Sequence, residues 1–283
     1  MKKILLSLLI ILSFSADYQA SAQEEFKVVT LNIRYGTPAD HENAWKNRRK
    51  RLLAVFKSYS DQIIATQEAL PLQIKDILQN NSELEVVYRS RTKAQDDGPA
   101  NAIFYSKRNW ELVTHETFWL SNTPEEPASK SWGNSLPRTA SIVVLEHKSS
   151  GKQIKLLNVL LDHRSEESRE KSVELILRKL MTEVEPMPTL VVGDLNVRPT
   201  DAIVSRMEEF FTDTFEGDIL LACTYHNYQG GSHCPRYDYI FFQENAGIKK
   251  TGYKIDKWES KGLYPQDHYP VVATFRLENS EEN

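Results

Sequence analysis

Short apolar runs along this chain keep meeting a carboxylate, an amide or an imidazole at one end. KVVTLNI (27–33) carries Asn32 near its close, and DQIIATQE (61–68) stops on Glu68. TLVVGD (189–194) stops on Asp194, with Asn196 two positions further on. YDYIFF (237–242) begins beside Asp238, and PVVATFRL (270–277) follows the pair Asp267–His268. Apolar runs of this kind are buried strands. Two residues two apart at the end of such a strand, as Asp194 and Asn196 are, point the same way. Burying one polar group singly is costly, and a turn cap explains any single case. As a set they mean more. Oxygen ligands and a histidine, delivered by separate strands toward one sheet edge, are what a hard divalent cation requires.

The intervening segments supply helices. AWKNRRKRLLAVFKSY (44–59) is amphipathic, with Trp45, Leu52, Val55 and Phe56 on one side. Its RRKR (48–51) reads as a solvated helix face rather than a nucleic-acid patch. Pro71 opens a helix to about Leu78, and Ser165 is placed to cap a helix over 166–184. A further helix is expected over 200–210, capped by Thr200 or Asp201. Further strands are expected at 101–106, 110–120, 139–147, 152–163 and 248–259, with a long Pro- and Ser-rich loop at 121–138. Strands and helices interleave in both halves, which implies an α/β (α+β) chain of two mixed sheets packed together with helices outside. No composition shift marks a linker, so residues 23–283 are read as a single domain.

The first 22 residues are read apart from that domain. Lys2 and Lys3 precede the apolar run Ile4 to Phe14, and Ala20 and Ala22 stand in A-x-A spacing before Gln23. This is the pattern of a cleaved secretory signal peptide, so the protein is expected to be exported, periplasmic or secreted. No cysteine follows, which argues against a lipid anchor. The run is also shorter than the roughly 18 residues a membrane span needs. Cleavage moves the formal charge from −4 to about −5. That excludes a global basic field for duplex DNA but leaves room for a local basic cleft. The only cysteines, Cys223 and Cys234, flank TYHNYQGGSH, and whether they join is open from sequence. Their spacing fits no common zinc pattern.

TLNIRYG, TQEAL, KSWGNSLPR, LDHRSEESRE, GDLNVRP, YDYIFF and QDHYPVV together resemble the motifs of the endonuclease/exonuclease/phosphatase family, in its order and spacing over nearly the whole mature chain. The likeness is greatest to its exported bacterial branch. The resemblance implies a DNase-like four-layer sandwich and hydrolysis of a phosphate ester with Mg²⁺ or Mn²⁺. It implies that Glu68 binds the metal, with Asn32 and Asp267 beside it directly or through water. Asp194 would position and deprotonate the attacking water, and Asn196 would orient Asp194 and contact the phosphate. His268 would meet phosphate oxygens while Asp238 holds its ring. Arg34 and Arg164 stand near motifs and serve either as phosphate clamps or as surface salt bridges. Asp162, His163 and His226 complete the candidate substrate residues. The partner expected is a phosphate-ester substrate, nucleic acid being less favoured than a nucleotide, sugar phosphate or lipid headgroup, and the chain is read as a monomer.

One departure matters. Where the family reads N-T-H-[LF]-D-H, this chain reads NVLLDH (158–163), so Leu160 stands at the family's histidine. Leucine cannot donate a hydrogen bond, and losing a positioned proton donor typically removes about 10²–10⁴-fold in rate. Three readings remain. The metal and Asp194 carry the reaction, or His163, His226 or His233 reaches in. Alternatively the leaving group needs no acid. Alternatively the chain is a non-catalytic phosphate- or glycan-binding protein that keeps the fold. Gln266, where serine commonly precedes the D-H pair, is a minor difference.

Overall fold

The computed structural model describes residues 25–181 and 187–278. The leader expected over 1–22 lies outside them, as do residues 182–184 of the expected helix 166–184. The first six strands among the described residues are β1 (Glu25–Asn32), β2 (Ile63–Ala69), β3 (Leu84–Val87), β4 (Ala100–Ser106), β5 (Trp110–Trp119) and β6 (Thr139–His147). The next six are β7 (Gln153–Leu160), β8 (Thr189–Asp194), β9 (Thr212–Asp213), β10 (Asp238–Phe242), β11 (Ile248–Ile255) and β12 (Val271–Leu277). Helices α1 (Trp45–Ser58), α2 (Pro71–Asn80), α3 (Glu166–Leu180) and α4 (Ala202–Glu208) connect them.

The strands form two mixed sheets of six, ordered β11-β12-β1-β2-β4-β3 and β5-β6-β7-β8-β10-β9. Each contains one parallel pair, β1 with β2 and β7 with β8, and antiparallel neighbours elsewhere. Parallel pairs need crossover connections. Here the crossovers are the segments carrying α1 and α3. The sheets pack face to face over Ile63, Ile103, Leu156, Val192, Ile240 and Phe275. α1 and α2 cover the outer face of the first sheet through Leu52, Phe56, Ile74 and Ile77. α3 and α4 cover the second through Val173, Ile176, Ile203 and Met207. The result is four layers, and each fully buried aliphatic or aromatic side chain contributes about 1.5–3 kcal/mol.

Some polar groups inside this sandwich bond across it. Gln67 Nε2 donates to Asn158 Oδ1 at 2.7 Å, and Asn158 Nδ2 donates to the carbonyls of Thr66 and Ala102 at 2.9 and 3.1 Å. These bonds pin β7 to β2 and β4 just below the sheet edge where the site lies.

Several local expectations change. The strand expected to run to 163 stops at Leu160. Asp162 Oδ1 accepts the backbone N–H of Arg164 and of Ser165, each at 2.9 Å, and this turn starts α3 instead. β11 likewise stops at Ile255, short of 259. β3, a four-residue edge strand, has too short a run to announce itself. RRKR is not one solvated face. Arg48 is fully buried and donates to the carbonyls of Ile33 (2.8 Å), Arg34 (2.5 Å), Asn43 (2.9 Å) and Pro265 (3.1 Å). Position 48 lies three after Trp45 and four before Leu52, on the stripe facing the core. The expected caps hold: Ser165 Oγ accepts from Ser168 N–H and Asp201 Oδ1 from Ile203 N–H, each at 3.1 Å. Cys223 and Cys234 are joined, with Cα atoms 4.6 Å apart.

Candidate active site

The carboxyl ends of both parallel pairs open at the same edge of the sandwich. β1 ends on Asn32, β2 carries Glu68 as its last residue but one, β7 ends on Leu160 and β8 on Asp194. β10 runs antiparallel to β8, so its first residue, Asp238, pairs with Asp194. β12 runs antiparallel to β1, so the Asp267–His268 pair preceding it arrives at the same edge. The result is a cavity of about 630 Å³ lined by Asn32, Glu68, Asp194, Asn196, Asp267 and His268. Arg34, His163, Arg164 and Leu160 also line it.

The backbone is bent to aim these side chains. Arg34, Glu68 and Asn196 adopt φ of 52°, 62° and 55°. Left-handed conformations at non-glycine residues are unfavourable and persist where the surroundings over-determine them. Glu68 sits in an irregularity of the β2–β4 ladder between Thr66 and Ala69, the device that re-aims a side chain at a sheet edge. Gly193 has φ 145°, and a Cβ there would lie 1.9 Å from the Val159 carbonyl oxygen. Only glycine lets β8 approach β7 this closely just before Asp194.

Around Asp194 the groups hold one another. Asn32 Nδ2 donates to its Oδ2 at 3.1 Å, and Asn196 N–H donates to its Oδ1 at 2.9 Å. Asn196 Nδ2 in turn donates to the Leu161 carbonyl at 3.0 Å. His268 Nδ1 lies 2.8 Å from Asp238 Oδ2, and its Nε2 lies 3.9 Å from Asp194 Oδ2. Asp238 accepts no contact from the cavity itself; it stands behind the ring. Burial, with Asp238 nearby, pushes the Asp194 carboxyl well above the ordinary range. Burial opposes the charged form of His268, but the carboxylates of Asp238, Asp194 and Asp267 outweigh it and hold the imidazole above its usual value.

Two donor sets here could hold a cation. Ligand atoms of Asp194, Asp238 and His268 lie within 4.8 Å of one another. However, His268 Nδ1 is already engaged by Asp238 Oδ2 and Asp194 by two amides, which leaves Asp238 Oδ1 as the one buried oxygen of this set without a hydrogen-bond partner. Glu68 and Asp267 form the other. Asp267 is 7% exposed, and its Oδ1 is buried with no hydrogen-bond partner. Burial pushes its carboxyl up; His268 and Arg34 oppose this and Glu68 adds to it, and the net shift is upward. Glu68 Oε2 accepts Tyr35 N–H at 3.2 Å, and Arg34 Nη1 is 4.0 Å away. Two neighbouring carboxylates, one with an orphaned oxygen, with only a partial counter-charge from Arg34, fit a hard cation with oxygen ligands. The chemistry of the second set fits Mg²⁺ or Mn²⁺ better than the first.

The opposite wall has a different composition. Leu160 is 5% exposed and is the register partner of Asp194. Beside it Arg138 donates from Nε to Asp162 Oδ2 at 3.1 Å and from Nη2 to His163 Nδ1 at 2.8 Å. Accepting at Nδ1 leaves the His163 proton on Nε2. Burial and the Arg138 charge lower the His163 pKa. Arg91 lines the cavity next to Arg138. Neither arginine was singled out from sequence. Arg138 closes the KSWGNSLPR motif and was within reach; Arg91 lies in a patternless loop. Asp162 is placed behind Arg138 rather than in the cavity. His226 is not among the cavity-lining residues: it is 4% exposed, stacked on Tyr269 at 4.0 Å, and burial pushes it down to about 4. Arg34 reconciles both readings, since it lines the cavity and pairs with Asp40 at 2.8 Å. Arg164 lines the cavity from an exposed position.

Comparison with known proteins agrees with this geometry. A profile of the Endonuclease/Exonuclease/phosphatase family matches residues 29–268. No curated protein sequence matches the chain. Among solved structures, an endonuclease/exonuclease/phosphatase from Bacteroides vulgatus superposes with a TM-score of 0.83 at 27% identity, covering 90% of this chain and 100% of the other. The mannosyl-6-phosphatase Bt3783 of Bacteroides thetaiotaomicron shares the fold with a TM-score of 0.81 at 24% identity, over 88% and 99% of the two chains. D. rerio TDP2, complexed with a single-strand DNA product, shares it at 0.71 and 18% identity, over 89% and 99%. With two six-stranded sheets delivering these residues to one edge, and the profile spanning nearly all of the described chain, this protein belongs to the endonuclease/exonuclease/phosphatase family.

Proposed function

We propose that this chain is an exported phosphoesterase, dependent on Mg²⁺ or Mn²⁺, that hydrolyses a phosphodiester or phosphomonoester by direct attack of water. The observation that carries this is the convergence of Asn32, Glu68, Asp194, Asn196, Asp267 and His268, from both sheets, on one cavity. Glu68 and Asp267, with Asn32 directly or through water, would hold the cation, which when bound would supply polarisation of the phosphoryl oxygen and stabilisation of the leaving oxygen.

The remaining steps belong to the chain. Asp194, fixed on both oxygens by Asn32 and Asn196, orients the water for in-line attack and takes its proton. Its raised pKa makes it a stronger base than a solvated carboxylate. His268, oriented by Asp238, donates from Nε2 to a non-bridging phosphate oxygen. The Asn196 side chain flanks the same oxygens, and Arg164 reaches them from the rim. Arg34 adds positive charge at the Glu68 end.

A cavity of about 630 Å³ suits a small polar ester better than a duplex. The fold shared with a mannosyl-6-phosphatase agrees with a sugar phosphate, at an identity that speaks for the fold alone. Export is supported by the leader pattern and by the Cys223–Cys234 disulfide, which persists in oxidising compartments. Among the described residues no helix is long and apolar enough to cross a membrane.

The test is turnover of bis-p-nitrophenyl phosphate, p-nitrophenyl phosphate and plasmid DNA with Mg²⁺ or Mn²⁺, against Asp194→Ala. Metal-dependent turnover above that control is expected on at least one substrate, and its absence on all three contradicts the proposal. Leu160 is the observation that favours the second reading, a non-catalytic phosphate- or glycan-binding protein. That reading predicts phosphate-ester binding with no turnover.

A further inference from the structure

Arg91 and Arg138 line the main cavity, of about 630 Å³, beside Leu160. The cleft behind them, which Asn101 and Pro137 also line, holds only about 10 Å³, too little for an anion, so the guanidinium groups meet a ligand from the main cavity. The two guanidinium groups are in unequal states. Arg138 is a built group, with a side chain 4% exposed and bonds to Asp162 and His163.

Arg91 is different. Its backbone is tied at both ends, N–H to the Pro99 carbonyl at 3.0 Å and carbonyl to Trp119 Nε1 at 2.8 Å. Its guanidinium is half-buried and makes no hydrogen bond or ion pair among the described residues. The charges acting on it most strongly are Arg138, Glu68, Tyr35 and Asp162, and burial together with Arg138 weakens its hold on the proton. Asp162 is committed to Arg138, and under the function proposed above Glu68 is committed to the cation.

A guanidinium withdrawn from water next to a second one is unfavourable unless an anion shares the space. Paired arginines also match the fork geometry of phosphoryl and carboxylate oxygens. The phosphorus under attack belongs at Asp194 and His268, and a cavity of about 630 Å³ has room for a second anionic group beside Arg91 and Arg138.

We propose that Arg91 and Arg138 form a second-anion subsite, and that the natural substrate carries, besides the scissile ester, a second phosphoryl or carboxylate group seated there. This rests on the phosphoesterase reading for the position of the first phosphate. It also gives the Leu160 wall a purpose, since an apolar spacer keeps the two anionic groups apart.

The test uses the bisphosphates of ethylene glycol, propanediol, butanediol and hexanediol, each against the matching monophosphate. Binding is measured by calorimetry with Mg²⁺ in an Asp194→Asn background, so no turnover is needed. At least one bisphosphate is expected to bind about 10-fold or more tighter than its monophosphate. Arg91→Ala should bring that ratio close to unity while leaving monophosphate affinity within about twofold, and Arg91→Lys should restore part of it. Arg91→Ala removes no hydrogen bond made by the fold, so the variant keeps its structure. Equal affinities for every pair, or equal weakening of both members by Arg91→Ala, overturns the subsite. In the catalytic background the same substitution should raise KM for the preferred bisphosphate with kcat little changed. A kcat loss shared by mono- and bisphosphates would instead make Arg91 a contact of the scissile phosphate and overturn the proposal. If no ester is hydrolysed but the calorimetric ratio holds, the phosphoesterase reading fails and the subsite stands.

Discussion

The two walls of the cavity are built on different principles. On the Asp194 side the reacting groups are held by neighbours: Asn32 and Asn196 fix the carboxylate, and Asp238 fixes the His268 ring. On the Leu160 side an apolar residue sits among guanidinium groups, and Arg91 has no partner among the described residues. A pre-oriented hydrogen-bond network is one prepared for a step it repeats with every substrate. An unsatisfied charge on a rigid backbone is one prepared for a group that arrives from outside. The first wall would define the reaction, and the second would select what undergoes it.

The largest effect expected from breaking this contrast is at Asp194. Asp194→Ala should lower metal-dependent turnover by about 10³-fold or more on every ester, with the fold intact by circular dichroism. An effect below tenfold would mean that the satisfied wall is structural rather than chemical.

Two further changes test what holds that wall in place. Gly193→Ala forces a Cβ against the Val159 carbonyl, and unfolding in urea should show a loss of about 3 kcal/mol or more. Arg48→Met removes donors to the carbonyls of Ile33, Arg34, Asn43 and Pro265 on the segments carrying Asn32 and Asp267. About 3 kcal/mol should be lost in the same assay. If Arg48 only stabilises, kcat will survive in the folded fraction; if it also positions the site, kcat will fall with it, and the second outcome is expected.

The smallest effect expected is at Leu160 itself. Leu160→His should change turnover of p-nitrophenyl phosphate by less than about threefold, because the p-nitrophenolate leaving group needs little protonation. A rise of tenfold or more would show that the wall lacks a donor that neither Arg138 nor His163 replaces.

The contrast also explains what could be read in advance. Asn32, Glu68, Asp194 and Asp238 stand at or near ends of strands, where a two-residue period and a sudden polar residue are visible in one dimension. Asp267 and His268 adjoin a strand in the same way. Even there, the left-handed backbone of Glu68 left no local mark. The second wall is made by chance neighbours in sequence terms. Arg91 comes from the loop before β4 and Arg138 from the long loop before β6; Leu160 alone comes from a strand. Nothing in the residues around Arg91 predicts whether a loop arginine meets solvent or a cavity, since that depends on how two loops fold over one edge. Arg48 shows a different limit: RRKR reads as one charged cluster, although helical spacing places its first member on the buried stripe.

The most direct measurement is anomalous diffraction from crystals soaked in Mn²⁺. The ion is predicted to lie against the carboxylates of Glu68 and Asp267, at the roughly 2.0–2.2 Å expected for oxygen ligands of a small hard cation. An ion found instead among Asp194, Asp238 and His268, with no density beside Glu68, would contradict the division of labour between carboxylate base and metal on which the proposed reaction depends.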